Sequence, residues 1–233
     1  MTRSVFGVIA MRHAFAAVLL VLLGIAPANA AGVALVLAVD VSESVSSGRY
    51  TLQREGIARA FESPQLVEAI AGVPGGIQVL VVEWSDPEKI AITVGWTRIA
   101  NRGGAAAFAA LVRATKRSSS GLTAIGPALL AAAAAFDYMP EEASHKVIDI
   151  SGDGMANFGV PPAEVRDRLV ARGITINGLA ILSEEPWLDE YYRKNVIGGP
   201  SSFVTVAKDF DSFAEAILRK LVQEVASLPD RAL

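Results

Sequence analysis

Seven apolar residues, Val33 to Val39, run without a break and stop at Asp40, after which Ser42 and Ser44 fall at alternate positions. An unbroken branched run predicts a strand buried on both faces, as in the middle of a parallel sheet. The plan returns at His145 to Ser151, where Val147, Ile148 and Ile150 lead into Ser151-Gly152-Asp153-Gly154. Ile77 to Trp84 and Ile174 to Leu182 predict further strands, and Ser202 to Val206 a short last one. Lys89 to Trp96 is also strand-like. Only Ser85-Asp86-Pro87-Glu88 joins it to the strand before, which is too short for a crossover helix. That pair is therefore a hairpin, with its second, antiparallel member at the sheet edge.

Between these runs the period changes to that of helices. Ser46 or Ser47 caps a helix to about Phe61, and a short piece from Pro64 to Ile70 follows. Asn101-Arg102-Gly103-Gly104 is expected to break the chain before a helix over Ala105 to Thr115. An alanine-rich helix follows Leu122-Thr123-Ala124-Ile125-Gly126 and runs to about Tyr138. Pro162 to Arg172 is helical, with Gly173 as a left-handed cap. Trp187 to Val196 is a short helix. Asp209 to Ala226 is amphipathic, with Phe210, Phe213, Ile217, Leu221 and Val225 on one face. The alternation of strands and helices predicts an α/β, doubly wound, three-layer sandwich around a mostly parallel sheet with one antiparallel edge strand. Right-handed crossovers bring the tips of the first strand and of the strand ending at Ser151 to one sheet edge.

Residues 1–30 are set apart from this fold. Arg3, Arg12 and His13 make a basic start, Ala14 to Ala26 is apolar, and Ala28-Asn29-Ala30 offers small residues for cleavage. This is the pattern of a secretory signal peptide, with Met1 or Met11 as its start. It predicts a periplasmic or secreted bacterial protein, with one domain over 31–230 and no membrane association beyond the signal.

Charge narrows the partners. The chain holds 21 basic and 24 acidic residues; without Arg3 and Arg12 the balance is 19 against 24, or about −5. No basic stripe suits nucleic acid. There is no cysteine, so neither disulfides nor thiol chemistry contribute. Outside the signal, His145 is the one histidine, and no G-x-S-x-G or phosphate-binding G-x-x-x-x-G-K-[ST] occurs. These absences argue against a hydrolase.

Three oxygen-bearing pieces converge on the sheet edge: Asp40, Ser42 and Ser44; Thr123 before the alanine-rich helix; and Asp153. In type, order and spacing this set resembles the metal-ion-dependent adhesion site of the von Willebrand factor A domain family. The D-x-S-x-S of that family stands here as D-V-S-E-S, its threonine in S-G-L-T-A-I-G and its late aspartate in S-G-D-G. The stretches V-I-D-I-S-G-D-G, I-T-I-N-G-L and N-V-I-G-G-P are similar to an uncharacterised exported bacterial family with this domain. The resemblance implies a Rossmann-like fold and a bound Mg2+, with Mn2+ or Ca2+ as alternatives. It also implies direct ligation by Ser42, Ser44 and Thr123, with Asp40 and Asp153 acting through water. Neutral hydroxyls leave such a cation under-neutralised, so a partner protein's acidic side chain is expected to complete the shell. The expectation is a binding module and not an enzyme. A Mg2+-dependent hydrolase and an assembly module with an unused metal site stand as alternatives. Asp149, inside a buried strand, needs a partner of its own.

Overall fold

A computed structural model describes residues 31–226; the signal peptide expected over 1–30 lies outside the described residues. The sheet has six strands: β1 (Ala31–Asp40), β2 (Ile77–Trp84), β3 (Ala91–Ile99), β4 (Ala143–Gly152), β5 (Ile174–Ile181) and β6 (Val204–Ala207). Their spatial order is β3-β2-β1-β4-β5-β6. Every neighbouring pair is parallel except β2 with β3, the expected hairpin at the edge.

Among the described residues seven α-helices flank the sheet: α1 (Ser47–Glu62), α2 (Pro64–Ala71), α3 (Arg102–Ala114), α4 (Ile125–Ala135), α5 (Pro162–Ala171), α6 (Leu188–Asn195) and α7 (Phe213–Ala226). Alternation along β1 decides which helix covers which face. Leu35, Leu37 and Val39 pack with α1, α2, α3 and α7. Ala34, Val36 and Ala38 pack with α4, α5 and α6. The small residues on this second face meet the alanines of α4, so helix and sheet approach closely. Each fully buried Leu or Ile contributes about 1.5–3 kcal/mol.

Several boundaries differ from the sequence pattern, and for two helices the hydrogen bonds show a local reason. α3 begins at Arg102, through Gly103 and Gly104, because Asn101 caps it by accepting from the Gly104 N–H at 3.0 Å. Glycine costs less in a first turn, whose N–H groups have no helical partner anyway. α7 begins at Phe213, because Asp209 and Ser212 hydrogen-bond to each other's backbone N–H groups and form a turn before it. β3 is displaced toward its C-terminal end and runs on to Ile99. Gly173, at φ 79°, takes the left-handed conformation expected after α5.

β1 is the switch point of this sheet. The chain leaves β1 through α1 and α2 on one face and leaves the neighbouring β4 through α5 on the other, so the loops at their carboxyl ends part and leave a crevice. Asp40 ends β1, and Asp153 follows the last residue of β4.

Candidate metal centre

The loop after β1 is held by hydrogen bonds before any ligand is considered. Asp40 Oδ1 accepts from the Ser42 N–H at 2.7 Å, closing a tight turn. Gln53 on α1 donates to the Asp40 carbonyl at 3.1 Å. Arg117 donates to the carbonyls of Val41 and Ser42, both at 2.8 Å. Ser42 is thereby buried, and its hydroxyl lies 3.2 Å from that of Ser44.

Thr123 arrives on a stretch without helix or strand, residues 115–124, tied down at several points. Ser118 N–H donates to Glu83, Leu122 N–H to Asp86, and Glu43 N–H to the Gly121 carbonyl. Asn157 clasps Thr123 itself: its side-chain oxygen accepts from the Thr123 N–H, and its own N–H donates to the Thr123 carbonyl. The Thr123 hydroxyl faces the loop after β4, where a methyl group placed on Gly154 would sit 3.8 Å from its Oγ1.

Asp153 closes the set. Its Oδ1 accepts from the Ser44 hydroxyl at 2.7 Å, across 109 residues of chain. The structure thus places Asp40, Ser42, Ser44, Thr123 and Asp153 in three adjoining loops at one edge. Asp40 and Asp153 are fully buried. Asp40 Oδ2 and Asp153 Oδ2 are both buried without a hydrogen-bond partner. Burial pushes the Asp40 carboxyl up to about 7; the neighbouring Asp153 adds to this, and the hydrogen bonds from Ser42 oppose it. Burial raises Asp153 as well, against the Ser44 hydrogen bond and the charge of Arg49.

Two buried carboxyl groups with free oxygens, beside three hydroxyls, fit a small hard cation: all donors are oxygens and the missing element is positive charge. No group of three or more His, Cys, Asp or Glu side chains suited to a metal occurs among the described residues. This set is of another kind, with two carboxyls and three hydroxyls.

Several residues around the set carry no signal in the sequence. Arg49 on α1 donates to the Ser44 carbonyl at 2.8 Å and to Glu184 at 2.6 Å, and lies 3.5 Å from Asp153 Oδ2. Arg117, Gln53 and Asn157 act on loop backbone. Tyr192 of α6 is fully buried near both carboxyls, and burial first, then their charges, pushes its phenol well above the ordinary value. Only folding brings these to the loops, so no spacing rule announces them.

A sequence family described as "Protein of unknown function (DUF1194)" matches residues 30–229. No curated protein matches the chain in sequence. Solved structures similar in fold include proximal thread matrix protein 1 from the mussel byssus, at 16% identity and TM-score 0.61, over 85% of this chain and 49% of that one. This chain thus spans about half the length of the mussel protein. A further structure of that protein, with a zinc-occupied MIDAS motif, aligns at 20% identity and TM-score 0.58, over 84% of this chain and 46% of that one. The vWF domain of a type V pili tip protein from Porphyromonas gingivalis aligns at 11% identity and TM-score 0.61, over 88% of this chain and 98% of that one. A von Willebrand factor type A structure from Catenulispora acidiphila aligns at 21% identity and TM-score 0.59, over 82% of this chain and 42% of that one.

Proposed function

This chain belongs to the DUF1194 family and has a von Willebrand factor A fold, and from that premise we propose an exported binding module that recognises a protein partner through a divalent cation. Asp40, Ser42, Ser44, Thr123 and Asp153 hold the cation. The observation that carries this reading is the pair of buried carboxyl oxygens, Asp40 Oδ2 and Asp153 Oδ2, without a hydrogen-bond partner beside the Ser42 and Ser44 hydroxyls, with the Thr123 hydroxyl facing Gly154 next in the chain to Asp153. A bound Mg2+ or Mn2+ supplies positive charge and an open coordination position that a carboxylate can fill. Ser42, Ser44 and Thr123 contribute neutral oxygens, and Asp40 and Asp153 contribute the compensating charge. With Ser42, Ser44 and Thr123 as direct ligands and the two aspartates acting through water, the cation keeps enough attraction to take an external acidic side chain.

The surface around the loops suits a protein partner. Leu122, Met155, Phe158 and Trp187 are exposed on segments next to the five residues. Such residues beside a charged centre match the apolar and polar mixture of protein interfaces. That the pilus tip and byssus proteins belong to extracellular assemblies supports the same reading, as does the signal peptide proposed for residues 1–30. His145 stands at the start of β4, the opposite end from Asp153, so this site has no histidine base beside its hydroxyls.

The test is a calorimetric titration of the purified domain with Mg2+ and Mn2+, followed by partner capture from a periplasmic extract with Mg2+ or with chelator. Saturable one-to-one cation binding, lost in Asp40→Ala, together with Mg2+-dependent capture is the expected result. No binding at millimolar cation would overturn the reading.

A further inference from the structure

Tyr192 is an unusual residue to bury where it is. Its ring packs on β5, in a slot that requires glycine at residue 178: a Cβ there would meet Tyr192 Cδ1 at 2.6 Å. The surroundings of the ring are apolar, and it belongs to the core shared with α4 and α5. Phenylalanine would fill that slot equally well. The hydroxyl is the part that needs a reason, since it is buried and has no hydrogen-bond partner. Burying an unpaired hydroxyl costs free energy, and tyrosine is kept in such places when its O–H has work to do.

The register of the sheet shows where that hydroxyl points. Ile150 pairs with Gly178, and Gly152 pairs with Ala180. Gly152 and Gly178 therefore lie on one face, two residues apart along neighbouring strands. Asp40 is on the same face of β1 as Ala34, Val36 and Ala38, which is the face α6 covers. The tyrosine ring passes over Gly178 and its hydroxyl reaches Gly152 at the end of β4. A Cβ on Gly152 would be 2.8 Å from Tyr192 Oη and also 2.8 Å from Asp40 Oδ2. The two oxygens share the space this glycine leaves open. One is a hydroxyl, and the other is the carboxyl oxygen that the Ser42 N–H does not reach. Each lacks a hydrogen-bond partner.

We propose that Tyr192 is a positioning residue of the cation site, its O–H donating to Asp40 Oδ2 through one water in the space beside Gly152. This rests on the reading of Asp40 as part of that site. Asp40 is then gripped from both sides, by the Ser42 N–H at Oδ1 and by Tyr192 at Oδ2, and presents a fixed carboxylate to the cation shell. Outer partners of this kind orient metal-binding groups, and their loss typically weakens binding about tenfold or more.

The experiment compares the wild-type chain with Tyr192→Phe and Gly152→Ala, reading Mn2+ affinity from the electron paramagnetic resonance of free Mn2+. Thermal unfolding in chelator is measured in parallel. Tyr192→Phe is expected to weaken Mn2+ binding about tenfold, with an unfolding midpoint in chelator that is unchanged or higher. Gly152→Ala keeps the phenol but places a methyl group between the two oxygens, and is expected to weaken Mn2+ binding to a similar degree. Mn2+ affinity equal to wild type in Tyr192→Phe overturns the proposal while leaving the cation site standing. A lower midpoint with unchanged affinity overturns it too, since that is the mark of a packing role alone. Should Tyr192→Phe not fold, unchanged affinity in Gly152→Ala overturns it. Absence of Mn2+ binding in the wild type overturns both this proposal and the site.

Discussion

Two buried polar clusters occupy opposite faces of one sheet, and they settle their charge in different ways. At the carboxyl edge, Asp40 and Asp153 each keep one oxygen without a hydrogen-bond partner, and half-buried Arg49 lies 3.5 Å from Asp153 Oδ2. On the other face, Asp149 in the middle of β4 meets Lys220 of α7, whose ammonium lies 2.7 Å from its Oδ2. Lys220 also donates to Glu224 at 3.0 Å, and Glu224 accepts from Asn177 at 2.6 Å. Phe203 lies 5.1 Å from the ammonium by its ring centroid. The second cluster carries its own counter-ion, Lys220, although Asp149 Oδ1 has no hydrogen-bond partner. The first has Arg49 against Asp153 alone, and none pairs with Asp40 among the described residues. A buried carboxyl that the chain has left without compensation marks a place where something else is meant to bind, whereas a compensated one is part of the framework.

The largest effect tests the cluster around Lys220. Lys220→Met leaves Asp149 and Glu224 buried without their cation, and should cost about 3–5 kcal/mol in urea unfolding. A loss under about 1 kcal/mol would mean that the cluster is not self-contained.

Next in size is the response of the open cluster to cation. Mg2+ at a hundred times its dissociation constant should stabilise the wild type by about 2.7 kcal/mol. Asp40→Ala should abolish that gain and leave stability in chelator undiminished, because it removes an uncompensated buried carboxyl. A large loss in chelator would make Asp40 part of the framework, and the contrast between the clusters would fail.

A third test uses pH. One lysine cannot balance two carboxylates, and burial pushes Asp149 up to about 7 against the pull of Lys220. The folded state thus holds a proton that the unfolded state, near the ordinary 3.8, releases. Its contribution is fully present below that ordinary value and is lost as pH rises through about 7. Stability followed by urea midpoint in saturating Mg2+ should decline over that window in the wild type and decline less in Asp149→Asn. Equal slopes would show that another group carries the titration. Burial opposes the charge on Lys220 but the two carboxyls outweigh it and raise its pKa, so its charge persists throughout.

The smallest effect belongs to the exposed rim. Glu184→Gln removes the charge of the Arg49 pair, and its cost in urea unfolding should stay below about 1 kcal/mol, because solvent screens such pairs. A larger cost would show that Arg49 is held in place for the loop after β1.

Much of this architecture was legible in the residues. The unbroken run before Asp40, the four-residue link between β2 and β3, and Gly173 after α5 each express a local constraint: burial on both faces, chain reach, and a left-handed backbone. Asp40, Ser42, Ser44 and Asp153 could be singled out because they follow the ends of apolar runs that chain crossover rules put together, while Thr123 joined them through the resemblance of the whole set to a metal-ion-dependent adhesion site. Helix starts were less legible, since Asn101 and the Asp209–Ser212 turn act through side-chain hydrogen bonds that hydrophobic pattern does not encode.

What the sequence determined by itself was the order of elements, the parallel sheet with its antiparallel edge, and the residues able to offer oxygen at one end. What only the tertiary structure decided was which charges are answered. Lys220 reaches Asp149 from 71 positions away, and Tyr192 reaches the Gly152 gap from another helix, because packing of separate layers sets those distances. Compensation of a buried charge is a property of space, and it is read only once the layers are in place.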